Sequence, residues 1–217
     1  LGLILMSLKK NAEAIKVFEK GIKIDPTFAM IYNNLGLLYF NSKFENNITK
    51  AEELYNKSIS LNDKIAEPHT NLGNLKKCVN KMDDAIECHK KALSINPNFS
   101  FSYLNLGNIY IEIGKFNEAK INIEKAIELN SNLSIAHRTL SRLKKYKEGD
   151  IHIKVLHEKY KNTLDINIYS KMDYAFALGK AYEDLKDYKK SFKYYESANY
   201  TYRKTLNFSI KEIKKEF

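Results

Sequence analysis

The chain has 217 residues and a net charge of +10, with 36 Lys and Arg against 26 Asp and Glu. Its hydrophobic content of 44% is typical of a soluble folded protein, and only 3 Pro and 8 Gly argue against long irregular regions. Cys78 and Cys88 form no CxxC pair, which favours a reduced, cytoplasmic chain over a disulfide-linked one. The apolar stretch at residues 1–8 is too short to span a bilayer, and we predict no membrane partner.

Leucine–glycine pairs recur along the chain, and the first three steps between their glycines are 34, 37 and 34 residues. Apolar residues at i, i+3, i+4 and i+7 around these pairs predict amphipathic helices. The pairs are Leu1-Gly2, Leu35-Gly36, Leu72-Gly73, Leu106-Gly107 and Leu178-Gly179. In register with them come a first small residue (Ala14, Ala51, Ala85, Ala119, Ser191), a larger residue four positions later (Phe18, Tyr55, His89, Ile123, Tyr195) and a second small residue (Gly21, Ser58, Ala92, Ala126, Ala198).

This pattern resembles the 34-residue tetratricopeptide repeat (TPR), in which two antiparallel helices approach each other through small residues. The resemblance implies an all-α fold, a TPR α-solenoid in which antiparallel helix pairs form a right-handed superhelix. It also implies that the first helix of each pair lines a concave groove.

We predict a TPR array over residues 1–147, followed by a less regular region. Three extra residues between Phe44 and Ala51 predict a longer exposed turn, with Thr49-x-x-Glu52 as a capping box that restarts the second helix. The array comprises a partial first repeat, repeats near 29–65, 66–99 and 100–133, and a half repeat at 134–147. Beyond it we predict a region at 148–171 that contains a divergent helix at 151–160 and a linker at 165–170. A last TPR-like unit at 172–208 and the start of a truncated helix at 209–217 follow.

Asparagine precedes the repeat leucine in three consecutive repeats, as Asn34, Asn71 and Asn105. Asn74 and Asn108 follow the repeat glycine on the same helix face. An amide offers two donors and an acceptor, so such a row is able to pair with the backbone of an extended peptide. The row is similar to the asparagine ladder in the TPR arms of O-linked N-acetylglucosamine transferases. The alternative is that an Asn-rich chain places asparagines on a solvated face by composition alone.

Arg138 and Arg142 lie on neighbouring faces of a later first helix, where we expect them to hold an acidic side chain or carboxylate. With the five asparagines they complete the predicted peptide-binding surface.

The remaining polar residues indicate no chemistry. His69, His89 and His137 occupy large-residue slots of the repeat and are interpreted as packing residues, while His152 and His157, five apart, do not share a helix face as metal ligands would. Phosphate-binding loops and nucleophile elbows are absent from the sequence. We therefore predict no catalytic residue, no metal and no cofactor. Because the lysines are dispersed, we also predict no nucleic-acid partner.

The run FALGKAYEDL at 176–185, followed by Asp187-Tyr188, Ser191-Phe192, Ala198-Asn199 and Arg203, resembles the last TPR unit of bacterial TPR–sulfotransferase fusion proteins. In that family a catalytic domain using 3′-phosphoadenosine 5′-phosphosulfate (PAPS) follows directly. The function predicted is a non-catalytic protein- or peptide-binding scaffold, the N-terminal arm of a larger protein. The main alternative is the N-terminal part of a PAPS-dependent sulfotransferase whose catalytic domain lies beyond residue 217. An arm fused to a glycosyltransferase and a module that self-associates end to end are further alternatives.

Overall fold

A computed structural model of the protein describes residues 1–41, 45–163 and 167–205. Twelve α-helices and no strand occur in these ranges, so the predicted all-α fold is confirmed. The helices are α1 (Gly2–Ser7), α2 (Asn11–Ile24), α3 (Ala29–Asn41), α4 (Glu45–Leu61), α5 (Ala66–Cys78), α6 (Met82–Ile95), α7 (Ser100–Glu112), α8 (Phe116–Leu129), α9 (Ser134–Leu143), α10 (Ile151–Asn162), α11 (Ile168–Asp184) and α12 (Tyr188–Thr205).

The helices belong to two compact units, Leu1–Lys115 and Phe116–Phe217. We call the odd-numbered helices first helices and the even-numbered ones second helices, after their order in each repeat. In the first unit α1, α3 and α5 each pack on the second helix that follows, and α2, α4 and α6 each pack on the next first helix. In the second unit α8 packs on α9, α10 on α11, and α11 on α12. This alternation is the architecture of a TPR α-solenoid.

The repeat glycines allow a ring of the second helix to lie directly against the first. A Cβ atom at Gly36 would lie 2.8 Å from the ring of Tyr55, closer than real side chains approach each other. The small residues on the second helix complete the contact, since Ala51 and Ala85 are fully buried. The same glycine–ring relation holds for Gly2 with Phe18, Gly73 with His89, and Gly179 with Tyr195.

The three-residue insertion lengthens a helix instead of a turn. Helix α4 has 17 residues, whereas α2, α6 and α8 each have 14. Because α4 already begins at Glu45, Thr49 lies inside it, and the predictions of a capping box at Thr49 and of a longer exposed turn after Phe44 are wrong. Phe44 itself lies outside the described residues.

A side chain closes each of the four turns that follow α2, α4, α6 and α8. Oδ1 of Asp25 accepts the N–H of Thr27 at 2.9 Å, an Asx turn that offers the backbone a partner where the helix ends. Asn62, Asn96 and Asn130 each accept in the same way from the N–H two residues on, at 3.0, 3.0 and 3.1 Å. The abundance of asparagine is therefore partly a property of the turns.

The second unit departs from the regular repeat. Helix α9 has only 10 residues and packs against α11, so α11 takes a large share of the surface that a paired second helix would cover. The divergent helix predicted at 151–160 is α10. Helix α11 begins at Ile168, so residues 168–170 are helical and not part of the predicted linker. The helix predicted at 209–217 lies outside the described residues.

Candidate functional site

Two interhelical amide hydrogen bonds join the first helices of the first unit. Nδ2 of Asn71 on α5 donates to Oδ1 of Asn33 on α3 at 2.9 Å. Nδ2 of Asn105 on α7 donates to Oδ1 of Asn74 on α5 at 2.8 Å. These bonds run in one direction, from each first helix to the one before it. They hold the amides at a defined orientation on three helices.

The predicted asparagines are half-buried, with part of each side chain open to solvent. Asn33, which sequence reasoning missed, is buried, and its Nδ2 lies 3.4 Å from Oδ1 of Asn34. Its slot in the next two repeats holds Thr70 and Leu104, so no repeating pattern pointed to it. We call the surface formed by Asn33, Asn34, Asn71, Asn74, Asn105 and Asn108 the amide surface.

The amide surface carries no unpaired cation among the described residues. Lys77, one turn beyond Asn74 on α5, pairs with Glu112 of α7, with Nζ 2.7 Å from Oε1. Two buried hydroxyls, Thr70 Oγ1 and Ser102 Oγ, lie 2.7 Å apart and join the same two helices. The surface is therefore polar and close to electrically neutral.

The bonded amides keep hydrogen-bonding capacity for a ligand. Asn71 and Asn105 each use one N–H in the bonds described, which leaves a second N–H and the carbonyl oxygen. Asn74 uses its oxygen and keeps its NH₂ group. A row that offers both donors and acceptors matches the alternating N–H and C=O groups of a polypeptide backbone.

The two arginines lie in the second unit, and one already has partners. Nη1 of Arg138 lies 3.3 Å from Oδ1 of Asp173, and its guanidinium sits 4.2 Å from the centre of the Phe176 ring. Ser134 donates to the other oxygen of Asp173 at 2.9 Å. Burial raises the pKa of Asp173 above its ordinary value, and the bonds from Ser134 and Arg138 only partly oppose this. Arg142 is exposed and makes no ion pair with the residues described.

A second buried carboxylate, that of Asp184, lies at the C-terminal end of α11. Oδ1 of Asp184 accepts from Lys145 Nζ at 2.8 Å and from Lys180 Nζ at 2.6 Å, while Oδ2 accepts the N–H of Tyr146 at 3.1 Å. Burial pushes the pKa of Asp184 upward, but these bonds outweigh it and hold the pKa below its ordinary value. The pairing of Lys145 with Asp184 was not foreseen from the sequence, because the two residues are 39 positions apart.

Three hydrogen-bonded rings support the segment that carries Lys145, and those of His137 and Tyr146 are buried while that of His152 is half-buried. Nε2 of His137 lies 3.1 Å from the carbonyl oxygen of Ser131, which only accepts, so Nε2 carries the proton and Nδ1 is an acceptor. Nε2 of His152 therefore donates to His137 Nδ1 at 2.9 Å, and its Nδ1 accepts from the Tyr146 hydroxyl at 2.8 Å. Burial and, secondarily, the nearby His137 lower the pKa of His152 to about 4, so both rings are neutral at pH 7.

The other histidines also lie in packing positions. His69 and His89 are buried, and neither ring nitrogen of His89 has a hydrogen-bond partner among the described residues. Within the described ranges, no group of His, Cys, Asp and Glu is placed to hold a metal ion. In the same part of the chain, no helix combines the length and apolarity needed to cross a membrane.

Alternating helix pairs with glycine–ring contacts define an all-α helical-repeat protein. Models of the tetratricopeptide repeat match residues 2–43, 66–99, 102–133 and 173–204, which together exceed half of the chain. The chain therefore belongs to the tetratricopeptide repeat proteins. A search of curated proteins found no match.

Solved structures share the fold. Pseudomonas aeruginosa pilF is 20% identical with a TM-score of 0.67, and the alignment covers 100% of this chain and 95% of that one. YrrB, a TPR protein with an unusual peptide-binding site, is 19% identical with a TM-score of 0.59, covering 85% and 91%. MamA is 19% identical with a TM-score of 0.55, covering 96% and 98%. At these identities the likeness shows the fold alone.

Proposed function

We propose that the first unit binds an extended, uncharged segment of polypeptide on the amide surface. The observation that carries the proposal is the pair of bonds from Asn71 to Asn33 and from Asn105 to Asn74, which orient amides on the three first helices α3, α5 and α7. Fixing these side chains before the ligand arrives lowers the entropy lost on binding. The peptide-binding site named for YrrB is consistent with this use of the fold.

The chemistry of the surface favours a peptide backbone over an anion. A carboxylate or phosphate only accepts hydrogen bonds, so it would leave the amide oxygens of Asn71 and Asn105 unsatisfied. Lys77 is already paired with Glu112 and contributes little net charge. Recognition through amides is insensitive to the ligand's side chains, which suits a scaffold that holds an extended segment.

Selection of random dodecapeptides on the immobilised chain tests the proposal. Peptides enriched on the wild type are measured by fluorescence anisotropy against the double variant Asn71→Ala/Asn105→Ala. We expect at least tenfold weaker binding, with little dependence on salt. Asn56→Ala, on the exposed face of α4, is the matched control and is expected to bind as the wild type does. Equal binding of the selected peptides by the double variant and the control would contradict the proposal.

The chain as a whole is proposed to be the N-terminal arm of a larger protein and to carry no catalytic group. The alternative is an arm that precedes a PAPS-dependent sulfotransferase domain, favoured by the FALGKAYEDL run in α11 and the Ser191-Phe192 and Ala198-Asn199 pairs in α12. Reading the coding sequence beyond residue 217 tests this. A phosphosulfate-binding loop within the next few dozen residues supports the sulfotransferase, and its absence removes it.

Location and assembly belong to the same proposal. Both cysteines are free thiols, which favours the cytoplasm, and cell fractionation would test this. End-to-end self-association is favoured by exposed apolar side chains in and directly beside α1, namely Leu1, Ile4 and Leu8. Light scattering that finds a clean monomer at high concentration would count against it.

A further inference from the structure

We infer that the second unit carries a separate binding surface for an acidic polypeptide segment. The surface consists of Arg138, Arg142, Lys145 and Lys180, and we call it the cationic surface. The inference rests on the proposed function insofar as both treat first helices as peptide-binding elements. It uses none of the residues of the amide surface.

Helix α9, the segment directly after it and helix α11 bring these cations together. On α11, Asp173, Phe176, Lys180 and Asp184 follow one another at intervals of 3, 4 and 4 residues and so form one stripe. Ion pairs join α9 and the segment after it to both ends of this stripe, since Arg138 pairs with Asp173 and Lys145 pairs with Asp184. Arg142 lies one helical turn after Arg138 and three residues before Lys145. It therefore lies between the two anchored ends.

The carboxylates lie beneath the cations, so solvent meets positive charge. The side chains of Asp173 and Asp184 are 10% and 2% exposed, whereas those of Arg138 and Lys145 are 39% and 78% exposed. Two ammonium groups share one oxygen of Asp184, which neutralises only one of them. Four cations over two carboxylates leave a net charge of about +2, and the buried acids hold the basic side chains in place.

This charge and size favour an acidic peptide over a nucleic acid. Affinity for duplex DNA comes largely from phosphate contacts, about 6–10 of them in a protein with strongly salt-dependent binding, and four cations with two internal counter-ions supply far fewer. Guanidinium groups pair with carboxylates through two parallel hydrogen bonds, and the exposed Arg142 is able to do so. Two or three Glu or Asp residues of an extended segment match the charge available.

Fluorescence anisotropy with a defined probe tests the inference. The probe is a labelled decapeptide of alternating Glu and Ser, and its partner is the same peptide with Gln in place of Glu. We expect the Glu peptide to bind the wild type, binding to weaken as salt is raised, and the Gln peptide to bind at least tenfold more weakly. The variant Arg142→Gln/Lys145→Gln should lower affinity for the Glu peptide at least tenfold.

Matched variants make the result specific. Lys189→Gln/Lys193→Gln on the exposed face of α12 removes the same charge and should change affinity less than twofold. Arg142→Gln alone, which breaks no ion pair with the residues described, should lower affinity about threefold even if the double variant folds poorly. Asn71→Ala/Asn105→Ala should leave binding of the Glu peptide unchanged, which separates this inference from the amide surface.

Four results would overturn the inference. They are failure of the wild type to bind the Glu peptide, equal binding of the Gln peptide, equal loss in the α12 control, and loss with the asparagine double variant. A fifth would replace it: if a single-stranded oligothymidylate binds more tightly than the Glu peptide and loses more affinity in Arg142→Gln/Lys145→Gln, the surface binds nucleic acid.

Discussion

The first helices of the two units use the same fold to present opposite chemistry. Helices α3, α5 and α7 present amides bonded from one helix to the next, with the nearest lysine neutralised by Glu112. Helices α9 and α11 present cations above buried carboxylates. The last repeat of the second unit fills the leucine, glycine and small-residue slots as the first unit does, so packing and ligand chemistry are encoded at separate positions of that repeat.

One slot of the repeat shows the contrast inside the core. His69 in the first unit lies three residues before Leu72, and His137 in the second lies three residues before Leu140. Both histidines are buried. Both ring nitrogens of His137 are bonded, whereas Nε2 of His69 makes no hydrogen bond of good geometry with the residues that the structure describes. The difference arises because α10 and the segment before it bring His152 and Tyr146 to the second unit.

Acid should have the largest effect on both units. Burial lowers the pKa of His89 and of His152 to about 4, below the unfolded value of 6.5. Stability from the neutral rings is then complete above pH 6.5 and lost as the pH falls towards 4, by roughly 3 kcal/mol for each ring. Urea unfolding at pH 7, 6, 5 and 4.5 measures this. A free energy of unfolding that is flat across the range contradicts it.

Breaking the ring chain of the second unit should have the next largest effect. His152→Phe leaves the Tyr146 hydroxyl and Nδ1 of His137 buried without partners, at a cost of roughly 2–4 kcal/mol. Urea unfolding at pH 7 compares the variant with wild type. His157→Phe, which removes bonds to partly exposed tyrosine hydroxyls, is the control and should cost less. Equal losses in the free energy of unfolding for both variants would contradict the prediction that the hydrogen-bonded rings of the second unit stabilise it more than the bonds of His157 do.

The corresponding change in the first unit should act in the opposite direction. His89 packs against Gly73 in the slot that Phe18 fills in the first repeat, and its two ring nitrogens bond to no residue in the described part of the chain. His89→Phe removes two unsatisfied buried atoms and should raise the free energy of unfolding by roughly 1–2 kcal/mol at pH 7. It should also flatten the acid dependence. Destabilisation by this variant would show that His89 has a partner, such as a buried water.

The sequence predicts correctly those parts of the structure that recur in each repeat. Glycine and small-residue spacing predicts the helix pairs, because contacts within a pair lie at fixed positions in each period. The three extra residues before Ala51 were predicted to lengthen a turn, but they lengthen helix α4. Sequence spacing alone does not distinguish a longer turn from nearly one more turn of helix. The cluster around Asp184 was missed because it joins residues 39 apart that follow no period.

The most direct measurement is a binding swap between the two surfaces. A neutral peptide selected on the wild type and the Glu–Ser decapeptide are each titrated against Asn71→Ala/Asn105→Ala and against Arg142→Gln/Lys145→Gln. The account predicts that the asparagine variant loses only the neutral peptide and the cation variant loses only the acidic one, each by at least tenfold. Equal losses of both peptides in both variants, or no loss in either, would contradict it.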